Sequence, residues 1–422
     1  MMSDISICWD DFILSYSAAL DLISPQVVEH HYDVAYITSE LLHELGAASD
    51  MVRSATQAAL LHDVGVFSLK DKLAATAFEF EDENLHADLG AELFAGYKPL
   101  EQTSKIIRYH HCRYDEIQYF KQVPYESQVV YLADRIAISI DKSVPIFQQK
   151  KAVVQKIKGY KHTKFNPVLV EAFESLATKE SFWLKLQHEK KSVVASAMAV
   201  NPISVQYDEL VDISTLFARI IDFKSMFTAA HSRGVGAIAS QLGEYAGISE
   251  EEQKLVFFTG VVHDLGKIII PTEILDKPSV ITKDEMSIIR AHPYYTHLIL
   301  KSFKGLEKYT SIASQHHERL DASGYPYHMQ GSELTRDARL VAVADVFTAL
   351  TEDRAYRESL KPEKVKEAMN YFVKNNYLDR DLVKLALEYQ DVLTKANKSC
   401  QERALTEYEA INQTVNNRKS KS

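Results

Sequence analysis

Apolar residues recur along this chain at intervals of three and four. Val211, Ile213, Leu216, Phe217, Ile220 and Ile221 form one such stripe, and residues 34–45, 235–246, 365–373 and 382–393 read the same way. That period places the apolar side chains on one face of a helix. The single strand-like run, KIIIP at 267–271, is too short to build a sheet. An all-α architecture follows. Composition agrees: with 14 Gly and 11 Pro in 422 residues, the pair holds half its usual ~12% share, so turns are few and elements long.

The pattern occurs twice. The first half carries His30, HDVG at 62–65, His86, the pair His110-His111, and Asp134 in LADRIA. The second carries His231, HDLGK at 263–267, His292, the pair His316-His317, and Asp345 in VADVFTAL. The offset is 201 for the first His and the HD pair, 206 for the third His and the HH pair, and 211 for the last Asp. Seven residues in one order, with the register altered only by two five-residue steps, describe an internal duplication. The flanks match as well: ALDLISPQVVEHH (19–31) parallels IIDFKSMFTAAHS (220–232), which sets Asp21 opposite Asp222. Asn201-Pro202 breaks the helical pattern. Two domains are therefore predicted, 1–200 and 201–422. The first closes on a helix over 180–199, the second on a frayed helix and tail after 396.

A net charge of −10 argues against a bulk nucleic-acid binder. Hydrophobic and charged shares of 46% and 25% suit a globular protein. Cys8, Cys112 and Cys400 are odd in number and far apart, which reads as free thiols in a reducing compartment. The start, MMSDISICWDDF, lacks the basic and apolar regions of a signal peptide. No apolar run approaches the ~18–20 residues that span a bilayer. A cytoplasmic protein is expected. The basic run at 148–164 reads as a solvated helix face.

One histidine on a helix is ordinarily a hydrogen-bonded core or surface residue. That reading fails for the set, because five His and two Asp per copy sit at the ends of apolar segments such as AALLHD, TGVVHD and LVAVAD. Burying so many polar groups without partners costs several kcal/mol apiece. A pair of divalent cations removes the penalty, since neutral imidazole and carboxylate are metal ligands. Ligation by N and O alone fits Fe, Mn, Ni, Co or Zn and singles out none. Cys112 adjoins the first HH pair, but its counterpart is Glu318, so it reads as a neighbour and not a ligand.

HDxGK with an upstream His, a later His-Pro, and HHExxDxxGYP resemble the HD superfamily of metal-dependent phosphohydrolases. More narrowly, residues 210–395 resemble HD-GYP cyclic-dinucleotide phosphodiesterases, and residues 10–180 resemble an HD domain lacking the GYP loop. The resemblance implies metal ligation by His231, His263, Asp264, His292, His316, His317 and Asp345, with Asp264 bridging two ions. It implies catalytic roles for Asp264 and Lys267. Lys267 would reach one substrate phosphate and Arg354 and Arg357 the other, with Tyr325 of the Gly324-Tyr325-Pro326 turn beside a base. The implied reaction is hydrolysis of cyclic di-GMP and/or 3′3′-cyclic GMP-AMP to a linear dinucleotide by a metal-bridging hydroxide. A mononucleotide phosphohydrolase (a nucleotidase) and a non-catalytic cyclic-dinucleotide sensor are the alternatives.

Some positions depart from the family's pattern. Thr296, Ala322 and Thr348 stand where Gly, Gly and Asp are usual, and they motivate the sensor alternative. Phe227 stands where three-metal members place a carboxylate, which implies a binuclear site. The first copy keeps His30, His62, Asp63, His86, His110, His111 and Asp134 as a second metal set. Val66 replaces the lysine there, Ser143 aligns with Arg354, and the GYP segment is missing. That copy is either a metal site without a substrate clamp or a structural copy. The two domains are expected to pack against each other, symmetric self-contact being the commonest interface. A homodimer is a further contact of that kind. Neither membrane nor DNA is an expected partner.

Overall fold

The computed structural model describes residues 7–23, 29–66, 83–199, 204–205, 209–224, 230–303, 305–353 and 358–419. By internal contact the chain divides into two units, one running from 8 to 203 and joined by residues from 412 onward, the other from 204 to 411 and joined by the residues up to 7. Among the described residues, extended backbone amounts to two dipeptides, Ile7–Cys8 and Ser204–Val205. All other regular structure is helical, as the apolar periodicity predicts. No helix among the described residues is long and apolar enough to cross a membrane.

Each unit is organised around a pair of packed helices, His30–Glu44 with Ser49–Leu61 in the first and His231–Tyr245 with Glu250–Val262 in the second. In the second pair, Ser249 starts its helix with a capping box. Its hydroxyl accepts from the Glu252 amide, and the Glu252 carboxylate accepts from the Ser249 amide. Two backbone donors that the helix leaves open are thereby satisfied. The helices touch where Gly236 and Gly260 meet: a Cβ on Gly260 would lie 2.8 Å from the Gly236 Cα. Removing both side chains lets the backbones approach. His263, capping the end of one helix, then faces His231 at the start of the other.

Around this pair pack the helices Leu210–Lys224, His292–Leu300, Glu307–Ala313 and Arg336–Thr351. KIIIP contributes no strand; Leu265–Ile269 is a 3-10 turn. The expected 180–199 helix is two, Glu180–His188 and Lys190–Met198. The segment after 396 is no frayed tail, since Gln390–Lys419 is one helix with Ala404, Ile411 and Val415 buried. Tyr408 stacks 4.5 Å from Phe223, and Glu407 pairs with Arg219 and Arg233. These partners lie far away in sequence, so a mostly polar local stretch gives little sign of them. The basic run 148–164 does form a solvated face, where Lys150, Lys158 and Lys161 pair with Glu180, Glu174 and Glu171.

Candidate metal centre

The five His and two Asp of the second copy come from four helix ends and the interior of a fifth helix, and converge. His231 begins one helix and His292 another. His263 and Asp264 end the Glu250–Val262 helix, His316 and His317 follow Glu307–Ala313, and Asp345 lies within Arg336–Thr351. Gly266 makes the convergence possible, because a Cβ there would meet the His292 carbonyl oxygen at 2.0 Å. The glycine of HDLG therefore admits the His292 helix. Thr296 secures the same junction: its hydroxyl accepts from the Gly266 amide and donates to the His263 carbonyl, both at 2.9 Å. The threonine that departs from the family pattern thus has a structural partner on each side.

Two overlapping groups result. His231 Nε2 lies 3.1 Å from Asp345 Oδ1, and His263 Nε2 lies 4.0 Å from the same oxygen and 3.2 Å from Asp264 Oδ2. On the other side, Asp264 Oδ1 is 3.1 Å from His292 Nε2 and 3.8 Å from His316 Nε2. His317 lies beside His292, with ring centroids 5.2 Å apart. Asp264 is common to both groups.

The hydrogen-bond pattern fixes which ring nitrogens face inward. His263, His292 and His316 donate from Nδ1 to the carbonyls of Gly260, Ile289 and Ala313, at 2.6, 2.7 and 2.8 Å. Each Nε2 is left with a lone pair aimed at its neighbours, the tautomer a cation requires. Asp264 Oδ1 is buried with no hydrogen-bond donor. These orphaned acceptors fit a divalent cation. Burial alone would raise Asp264, but His263 and Lys267 hold it well below the usual carboxylate range. Burial and the neighbouring imidazoles push His316 well down and His317 to about 3. Burial also opposes protonation of His231, yet Glu352 and Asp345 prevail and carry it up to about 10.

Glu352 is the residue that sequence reasoning missed. It is 3% exposed, and its Oε2 sits 2.9 Å from His231 Nδ1. Its distance of two helical turns from Asp345 was the available signal, and a weak one.

The open edge of the cluster is at His317, whose side chain is 31% exposed. Tyr325 packs there, 4.7 Å from the His317 ring, with the Arg290 guanidinium 4.4 Å from the centre of the Tyr325 ring. Gly324 is required by that turn, since a Cβ would lie 2.5 Å from the Arg319 amide nitrogen. Buried Glu318 pins the turn by accepting from the amides of Tyr327 and Met329, at 2.7 and 3.0 Å. Lys267 also reaches the cluster, with Nζ 2.6 Å from Asp264 Oδ2. Ala322 adopts φ 62°, the conformation its usual glycine would take freely. Thr348 is fully buried. Arg354, Arg357 and Phe227 lie outside the described residues.

The first copy assembles its seven residues likewise. His30 Nε2 is 3.2 Å from Asp134 Oδ1, and His62 Nε2 and His86 Nε2 are each 3.5 Å from Asp63 Oδ1. His110 stacks on His111 at 3.9 Å, and His111 Nε2 is 3.0 Å from His86 Nε2. His62 and His110 donate from Nδ1 to Ala59 and Ile107, and neither Nε2 has a hydrogen-bond partner. Cys112 is buried beside them, and burial pushes its thiol up to about 12. That is the opposite of what a thiolate ligand requires.

Two HD domain profiles match the chain, one over residues 215–382 and one over 27–138. Over 374 residues the chain is 29% identical to the 3′3′-cGAMP-specific phosphodiesterase 1 of Vibrio cholerae, spanning 86% of this chain and 87% of that one. Over 184 residues it is 35% identical to the cyclic di-GMP phosphodiesterase response regulator RpfG of Xanthomonas campestris, covering 42% and 48% of the two chains. The crystal structure of a cyclic GMP-AMP specific phosphodiesterase of V. cholerae superimposes with a TM-score of 0.60. It covers 93% of this chain and 98% of that one at 20% identity, which is a likeness of fold.

Proposed function

Because this chain belongs to the HD domain family, with two HD domains in tandem and the GYP motif in the second, we propose that the second hydrolyses a cyclic dinucleotide. The observation that carries this is one edge of one cluster. Seven inward-facing ligands, a lysine and an aromatic platform meet at the open His317 side. His231, His263, Asp264 and Asp345 hold one divalent ion, and Asp264, His292, His316 and His317 the other. When bound, two such ions supply an activated water and charge stabilisation at phosphorus.

The chain's own residues do the rest. Lys267 Nζ stands at the cluster's edge, where it meets a non-bridging phosphate oxygen and offsets its developing charge. Tyr325, beside His317 and Arg290, offers its ring to a nucleobase. Arg354 and Arg357 take the second phosphate. In the reaction, water oxygen joins phosphorus, the bond to the 3′ oxygen breaks, and that oxygen takes up a proton. The product is a linear dinucleotide ending in a 5′ phosphate. One of the relatives is named for 3′3′-cyclic GMP-AMP and the other for cyclic di-GMP, and both nucleotides are substrates to try.

A chromatographic time course with each cyclic dinucleotide, on metal-analysed full-length protein, tests this. Linear product is expected, and the double variant His263→Ala, Asp264→Ala should make none while keeping its helical circular dichroism. Full activity in that variant would sink the assignment.

A further inference from the structure

The two copies share their seven clustered His and Asp residues, and the second adds groups that the first lacks. Lys267 is matched by Val66, and the GYP segment has no counterpart. A third difference follows the same division. At the 206 offset that pairs His292 with His86, Arg290 is matched by Asn84. A cation that is missing together with the lysine and the aromatic turn sorts with the substrate and not with the ions.

Arg290 closes the short helix Lys283–Ile289, its amide donating to the Met286 carbonyl at 2.8 Å. The preceding carbonyl, that of Ile289, accepts from His292 Nδ1. The backbone at Arg290 is thereby tied to a histidine of the cluster. Its side chain is exposed and ends 4.4 Å from the centre of the Tyr325 ring. Neighbouring cations are engaged elsewhere: Arg319 donates to Ser323 Oγ and lies over Tyr377, and Lys267 pairs with Asp264. Arg290 is left without a carboxylate or a hydrogen-bond acceptor among the described residues.

We propose that Arg290 reads the base seated at Tyr325 and selects guanine. The proposal rests on the cyclic-dinucleotide reading above and names the base at its aromatic turn. A guanidinium presents a planar fork of N–H donors. Guanine offers that fork two acceptors, N7 and O6, on one edge, whereas adenine puts an amino donor in the place of O6. Both nucleotides named above contain guanine. To seat the base, the guanidinium slides from the ring to its edge. Giving up a cation–π contact at an exposed site costs ~2–5-fold in affinity, and a bidentate pair discriminates by ~5–150-fold. The exchange therefore favours guanine. A phosphate is the poorer partner, because it is drawn to the ions and Lys267 while Arg290 stands beside the ring.

The test compares cyclic di-GMP, 3′3′-cyclic GMP-AMP and cyclic di-AMP on the metal-loaded full chain. Initial rates use the nucleotides themselves, and equilibrium binding uses their phosphorothioate analogues, which resist cleavage. Wild type should prefer the two guanine nucleotides. Arg290→Ala should reduce that preference by ~5–150-fold, through KM and not kcat, and leave cyclic di-AMP within about twofold. Arg290→Gln, whose amide matches N6 and N7 of adenine, should shift the preference further toward cyclic di-AMP. An unchanged ratio, or an equal loss for all three nucleotides, overturns the proposal even if cleavage persists. Guanine-selective binding that depends on Arg290 in a chain that cleaves none of them refutes the proposed hydrolysis and upholds the role of Arg290.

Discussion

Glu352→Gln is the sharpest test of how the second centre is tuned. The amide keeps an acceptor for His231 Nδ1 but removes a buried negative charge behind a metal ligand. Glu352 Oε2 is 2.9 Å from Nδ1, which places it ~6–7 Å from an ion on Nε2, given a Zn–N length of ~2.1 Å. At that range one charge attracts a divalent ion by roughly 1–5 kcal/mol for effective dielectrics between ~80 and ~20. Loss of the partner behind a ligating histidine ordinarily weakens metal binding ~10–100-fold, about 1.4–2.7 kcal/mol. The two ranges overlap. Competition titration with a chromogenic chelator should therefore show a ~10–100-fold weaker site in Glu352→Gln and a weaker one still in Glu352→Ala. If both variants fold and bind within twofold of wild type, Glu352 does not support the metal and the reasoning fails.

Other consequences are open to direct measurement. In metal-free protein, His231 sits at about 10 against an ordinary 6.5, so its protonated form stabilises the fold fully below the unfolded value. That contribution is lost as pH rises through about 10; thermal melts of metal-free protein between pH 7 and 10 should fall more steeply for wild type than for Glu352→Gln, and parallel profiles would refute the pairing. Ala322→Gly relieves φ 62° and should stabilise by ~1 kcal/mol, a rise of ~2–4 °C in Tm for a domain of this size. Glu318→Ala orphans the Tyr327 and Met329 amides, at ~1–3 kcal/mol each. The turn bearing Tyr325 should loosen, with KM raised about tenfold by that cost and metal content unchanged; lost metal with unaltered KM would contradict the role.

The duplication was legible because chemistry and spacing repeat together. Most of the clustered histidines sit at helix ends, and such ends are marked locally by apolar runs such as AALLHD and TGVVHD. The glycine of HDxG was visible too, although only the 2.0 Å approach of the His292 carbonyl explains it. Likewise the Glu318-to-Cys112 exchange could be seen without its meaning. Glu318 pins the GYP turn, and the copy without the turn has nothing for a carboxylate to pin. The frayed end expected after 396 was misjudged because Phe223, Arg219 and Arg233, which cover that helix, are distant in sequence.

Sequence alone determined the two all-α copies, the seven His and Asp residues that cluster in each, and the aromatic turn and lysine that only the second copy carries. All of these are short-range patterns, set by helical period and by residue types a few positions apart. Tertiary structure decided what stands behind and across from the ligands: Glu352 against His231, Arg290 beside Tyr325, and an edge open at His317. Charge balance in a buried site depends on every group within several ångströms, whatever its place in the chain.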